Sequence, residues 1–122
     1  MVAVAKVTDP PSAGEAIDIH HLARMTLGER TLQREVLALF DRQADVLLPR
    51  IRRGAPPLAA SLAHTLKGSA ASIGAFKVAH AAEAVEQAQT LADRDAAVAA
   101  AVERLAAVLA EAKAEIARLI SN

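Results

Sequence analysis

Alanine fills most of the apolar positions of this chain: 31 of its 122 residues are alanine, and the only aromatic side chains are Phe40 and Phe76. A core built largely from methyl groups stays free of voids only where the surrounding backbones come close together, which alanine-bearing helices do well. A β-sandwich calls for a larger share of β-branched and aromatic residues. Leu, Ile, Val and Phe still make up 32 of the 122 residues, above the level at which a chain stays unfolded for want of a core. The length is that of one domain.

The apolar residues recur at helical spacing almost throughout. Residues 1–16 are the exception: they combine small apolar residues with Thr8, Asp9, Pro10, Pro11 and Gly14 and read as a mobile tail, leaving residues 17–122 as the folded domain. Asp18 is placed to cap a short helix through Ile19 and Leu22 to about Met25, which Gly28 interrupts. Thr26 and Glu29 stand in capping-box spacing ahead of a long helix whose expected inner stripe is Leu32, Val36, Leu39, Phe40, Val46, Leu47 and Ile51. Pro49 is expected to kink its end, before Gly54.

Pro56 and Pro57 suit the first turn of the next helix, with Leu58, Leu62, Leu66, Ser69 and Ile73 turned inward and Gly74 as the stop. A third long helix is expected from Phe76 to about Leu91, with Lys77, Glu83, Glu86 and Gln87 outside. A fourth, capped by Asp93 or Asp95, carries Val98, Val102, Leu105, Leu109, Ala112, Ile116 and Leu119 on one stripe. Four long helices with short connections predict an all-α fold, an antiparallel up-and-down four-helix bundle with a short extra N-terminal helix. Such a bundle closes its own core, so the chain is expected to be a monomer.

Charge and chemistry narrow the function classes. Fourteen basic and fourteen acidic residues balance without a long block of either sign, which argues against nucleic acid or an anionic membrane as partner. The absence of cysteine excludes disulfides, thiolate metal sites and cysteine nucleophiles. No signal sequence or membrane span is legible, so a cytoplasmic location is expected. Phosphate-cradling glycine loops, HExxH and Gly-x-Ser-x-Gly are also missing.

Four histidines remain. His20 and His21 are adjacent and diverge by about 100°, so they do not converge on one metal ion. His80 reads as a surface or partly buried residue of the third long helix. His64 points roughly 160° away from the expected inner arc of its helix, toward solvent, with Lys67 one turn later and Ala60 and Ala71 assigned to the same outward face. Gly68 lies at i+4 from His64, where glycine costs on the order of 1 kcal/mol relative to alanine. An exposed imidazole with open space beside it suits a nucleophile that a large partner approaches. Free imidazole is available as the neutral base near pH 7, with a pKa of about 6.5.

The run His64-Thr65-Leu66-Lys67-Gly68-Ser69-Ala70-Ala71-Ser72-Ile73-Gly74-Ala75 resembles the signature of histidine-containing phosphotransfer domains, and the likeness extends over about residues 17–121. The resemblance implies a four-helix bundle in which His64 accepts the phosphoryl group, Lys67 assists electrostatically and Gly68 leaves access, with Ala60, Ala71 and Ala75 in the partner-facing surface. It implies receiver domains of response regulators or hybrid histidine kinases as partners. It also implies no cofactor of its own, the receiver supplying magnesium, and no kinase activity, since the chain has no nucleotide site.

Two other readings stand beside it. In a sensor-kinase dimerisation and phosphoacceptor domain the histidine is normally followed by an acidic residue, Leu-Arg and Pro, where this chain has Thr65, Leu66, Lys67 and Gly68. A helical adaptor that never carries phosphate would bind a partner through Leu37 and Leu48, which lie off the expected stripe and have packing under the short first helix as the alternative.

Overall fold

The methyl-lined faces that alanine provides are placed where the helices meet. In the computed structural model, which describes residues 15–121, the chain forms α1 (Ile19–Met25), α2 (Arg30–Arg53), α3 (Pro56–Ser72), α4 (Phe76–Ala88) and α5 (Arg94–Ser121). The described residues contain no strand. The expected tail falls mostly on residues 1–14, outside the described residues, whereas Ala16 already packs against the core.

α3 packs most intimately on α4, α5 on α4 and α2, and α2 on α3, so the four long helices enclose one core. Ala59, Ala63 and Ala70 of α3 and Ala79 and Ala82 of α4 are buried between Leu66, Val78 and Val85, while α5 contributes Val98, Val102, Leu105, Leu109, Ala112 and Ile116. The stripe expected on α5 is the observed one up to Ile116, with Leu119 partly buried at its end.

On α2 and α3 the buried line is rotated from the expected one. Leu37, Phe40, Ala44, Leu47 and Ile51 are the buried residues of α2, and Leu32, Leu39 and Val46 are exposed. The helix carries two apolar lines, and the inner one includes an alanine, which packs where a larger side chain would not. Leu37 is thus core and Leu48 is partly buried against it, which removes the adaptor surface assigned to them. On α3 the inward residues are Ala59, Ala60, Ala63, Leu66 and Ala70, and Leu58 is exposed.

The first turn of α1 is capped as expected, the Asp18 carboxylate accepting from the His21 N–H at 3.1 Å. Thr26 does not cap α2. Its hydroxyl donates to the Leu22 carbonyl at 2.7 Å and closes α1 instead, while α2 starts at Arg30 behind Glu29, which forms no side-chain cap. Leu27 and Gly28, both at positive φ, turn the chain between them and direct Thr26 backward. Pro56 and Pro57 occupy the first turn of α3, and α2 runs unbroken through Pro49.

Gly74 pins the α3–α4 turn to the start of α1. It adopts φ +86°, and its carbonyl accepts from the Asp18 N–H at 2.9 Å. A Cβ here would come within 2.8 Å of the Asp18 carbonyl oxygen, so the position requires glycine on two counts.

Ion pairs join α5 to its neighbours. Lys113 donates to Asp41 and Asp45 of α2 at 2.7 Å each, and Arg52 pairs with Glu103 at 3.3 Å. Burial of the Lys113 ammonium pulls its pKa down, but the hydrogen bonds and charges of Asp41 and Asp45 outweigh this and hold it above the ordinary value of 10.5. A raised pKa means that folding favours the protonated lysine, so its contribution is complete below pH 10.5 and fades as pH climbs through the higher folded-state value. Lys113→Met is expected to lower stability by about 1 kcal/mol at pH 7, because it also leaves two carboxylates repelling one another at i, i+4. Denaturant unfolding at pH 7 and at about pH 11.5 checks this: the gap between the two proteins narrows at the higher pH, and an unchanged gap removes the ammonium from the explanation.

Candidate functional site

With Leu66 buried in the core, helical geometry turns His64, two residues earlier, almost directly outward. Its side chain is 70% exposed. From α4, Glu86 reaches across to it: His64 Nδ1 donates to Glu86 Oε2 at 3.2 Å and to Oε1 at 3.3 Å. Lys67, one turn along α3, forms an ion pair with the same Oε2 at 3.1 Å and donates from Nζ to Oε1 at 3.5 Å. Glu86 and Lys67 are both partly buried, so the imidazole stands outermost of the three.

This arrangement decides which nitrogen is free. An ionised carboxylate only accepts, so the hydrogen of the neutral imidazole belongs on Nδ1 and Nε2 keeps its lone pair. The Lys67 ammonium balances the Glu86 charge. Gly68 leaves the space next to the ring open: a Cβ built there meets nothing within 4 Å. Packing therefore does not demand glycine at 68 as it does at 74.

Of the residues assigned to the site from sequence, the structure brings together His64, Lys67 and Gly68, with Lys67 half-buried rather than fully turned to solvent. The three alanines assigned to a partner surface fare differently. Ala60 is buried, and Ala75 is fully so because it lies inside the turn, its N–H bonded to the Ala70 carbonyl at 2.8 Å. Only Ala71 stays partly exposed.

Glu86, expected as an outward polar residue of α4, is instead the ionisable group beside His64. The signal that finds it is positional. Ala75 in the turn lies eleven residues from each of His64 and Glu86, so a helical hairpin folding back there brings the two abreast. His80 faces elsewhere, along the groove between α4 and α5 with Lys77 and Arg104.

The remaining histidines do not join the site. His20 is exposed. His21 places Nε2 3.2 Å from the Ser72 carbonyl and sets its ring edge-on to Phe76, with centroids 5.1 Å apart, which fastens α1 to the α3–α4 junction. Among the described residues no group of three or more His, Cys, Asp or Glu is placed to hold a metal ion. The carboxylate nearest His64 is already shared between His64 and Lys67, so this donor set does not fit a magnesium ion. No described helix is long and apolar enough to cross a membrane.

Searches of curated proteins and of solved structures give no match to the chain. The family model of the Hpt domain matches residues 30–121, a span that takes in α2 to α5 and every member of the His64, Lys67 and Glu86 cluster. The chain belongs to the Hpt family, the histidine-containing phosphotransfer domains that carry phosphoryl groups in phosphorelays.

Proposed function

We propose that His64 is the phosphoacceptor, that its Nε2 takes a phosphoryl group from the aspartyl phosphate of a receiver domain, free or within a hybrid kinase, and that a second receiver aspartate removes it. The observation that carries this reading is the exposed imidazole held through Nδ1 by Glu86, with open space at Gly68. The four long helices are read as running alternately up and down, consistent with their short connections and with each packing on its neighbours.

In the transfer step the Nε2 lone pair attacks phosphorus, the N–P bond forms, and the P–O bond to the donor aspartate breaks to release a carboxylate. No proton has to leave Nε2. The ring becomes cationic while Nδ1 keeps its hydrogen, and the Glu86 carboxylate faces that developing charge. Lys67 is placed to offset part of the added phosphate charge of about −1.5 to −2. Magnesium, where transfer requires it, is supplied with the acidic residues of the receiver. The chain acts as a carrier and not as a kinase, in the cytoplasm where such receivers are loaded.

Phosphorylation is expected to be acid-labile and base-stable and confined to His64. Incubation with a phosphorylated receiver should label His20→Gln, His21→Gln and His80→Gln like the unsubstituted protein and leave His64→Gln unlabelled. Full labelling of His64→Gln would sink the assignment.

Removing the ring's anchor should slow the reaction without unfolding the protein. Glu86→Ala is expected to reduce the loading rate roughly fivefold to tenfold, the worth of one charge-assisted hydrogen bond partly open to water. Glu86→Gln keeps an acceptor oxygen without the charge and should fall between the two. Loading kinetics of Glu86→Ala that match the original protein would dissociate Glu86 from the mechanism.

Gly68 separates access from packing. Because a side chain there meets open space, Gly68→Gln is expected to stabilise the helix by up to about 1 kcal/mol. The same side chain should obstruct a receiver's approach and sharply lower transfer. Melting temperature and transfer rate measured on one preparation give the answer, and a less stable protein that transfers normally contradicts the access argument.

A further inference from the structure

The turn that joins α3 to α4 is three residues long, Ile73 to Ala75, and one side chain from outside the hairpin touches both of its ends. His21 Nε2 lies 3.2 Å from the carbonyl of Ser72, the last residue of α3, and its ring stands edge-on to Phe76, the first residue of α4, with centroids 5.1 Å apart. A carbonyl only accepts, so the hydrogen of the neutral His21 ring sits on Nε2. The final carbonyls of a helix have no further turn to supply their N–H partners. Those of Ala70 and Ala71 are taken by the Ala75 and Gly74 N–H groups at 2.8 and 3.2 Å, and His21 takes the one at Ser72.

His21 is itself held in place. Its backbone N–H donates to the Asp18 carboxylate at 3.1 Å, and the Asp18 N–H donates to the Gly74 carbonyl at 2.9 Å, inside the same turn. The start of α1 therefore clamps the hairpin at Ser72, Gly74 and Phe76. This clamp stands ahead of residues 30–121, the span that the family model matches.

The consequence at His64 is one of leverage. Glu86 lies ten residues beyond Phe76, about 15 Å along α4. A tilt of about 4° at the turn displaces Glu86 by about 1 Å, and its contacts of 3.2 and 3.3 Å with His64 Nδ1 have no such margin before they leave hydrogen-bond range. Once the carboxylate leaves Nδ1, the ring hydrogen is no longer confined there and Nε2 carries it part of the time. An Nε2 that bears the hydrogen of a neutral ring has no lone pair to offer phosphorus.

We infer that His21 is a positioning residue for the phosphoacceptor: by tying the end of α3 to the start of α4, it keeps Glu86 on His64 Nδ1 and the Nε2 lone pair free. Its effect on transfer rests on the reading of His64 as the phosphoacceptor, whereas its effect on the ring's tautomer belongs to the unloaded protein.

The test measures both in the full chain, with melting curves as a control for folding. Nitrogen NMR of the histidine rings near pH 8, where free imidazole is mostly neutral, should find the His64 hydrogen mainly on Nδ1. His21→Ala is expected to move a measurable share of it to Nε2, and His21→Gln, which returns an N–H donor to the Ser72 carbonyl, to restore at least part of the original balance. Loading of His21→Ala by a phosphorylated receiver should slow roughly twofold to fivefold, the worth of one neutral hydrogen bond. Added to Glu86→Ala, His21→Ala should slow loading no further, because the contact it serves is already gone. Should His21→Ala fail to fold, His21→Phe keeps a ring beside Phe76, removes only the donor, and must show the same change of tautomer. An unchanged tautomer overturns the inference even where His64 is the labelled residue, as does further slowing in the Glu86→Ala background. A changed tautomer in a chain whose His64 is never labelled overturns the phosphoacceptor reading and upholds the positioning.

Discussion

The close approach of α3 to α4 is the constraint on which the site depends. A glutamate side chain is short, and it reaches His64 Nδ1 at 3.2 Å only because buried alanines, Ala63 and Ala70 on one helix and Ala79 and Ala82 on the other, let the two backbones draw together. The spacing of packed helices follows the size of the side chains between them. A bulkier residue at any of these positions would move α4 outward, and Glu86 would leave His64 before the core itself failed. The alanine content that narrows the fold to close-packed helices is thus also what lets a carboxylate on one helix orient an imidazole on the next.

The two glycines of the His64 segment serve this constraint from different directions. At Gly74 the backbone takes a left-handed conformation and the Asp18 peptide lies against it, so the hairpin turn and the start of α1 are locked to one another. That lock sets where α4 begins and therefore which of its residues comes abreast of His64. At Gly68 the backbone is ordinary helix and the space around it is empty. One glycine is required by the folded chain itself, whereas the other leaves room for something outside it.

Helix number and approximate ends were legible because periodicity, prolines and glycines are local signals. The inward face was legible only where one apolar line dominates, as on α5. On α2 the sequence offers Leu32, Leu39 and Val46 against Leu37, Ala44 and Leu47, and a ranking by hydrophobicity prefers the wrong line, since alanine is chosen in a close-packed interface for its shape. On α3 the leucines at 58 and 62 misled in the same way, because the buried line runs through Ala59, Ala63, Leu66 and Ala70. His64 was correctly placed outside despite that error, since the expected and observed inner arcs share Leu66. Glu86 was missed because a carboxylate on an amphipathic helix reads as solvated until the hairpin register puts a partner opposite it.

The balance of charge at the site fits a carrier better than a store. In the proposed phosphorylated state the Glu86 carboxylate has two opposed effects: it stabilises the cationic ring through Nδ1–H, and as a like charge it repels the phosphoryl oxygens. The first favours loading and the second favours release, so the phosphoryl group is accepted without being held tightly. Lys67 tempers the repulsion, because the ammonium 3.1 Å from Glu86 cancels part of its field at the partly exposed phosphate. A neutral residue at 86 would remove the repulsion but would also give up the charge that faces the ring. Keeping the acid and pairing it with a lysine one turn from His64 retains the orientation of the imidazole and limits the penalty for loading it.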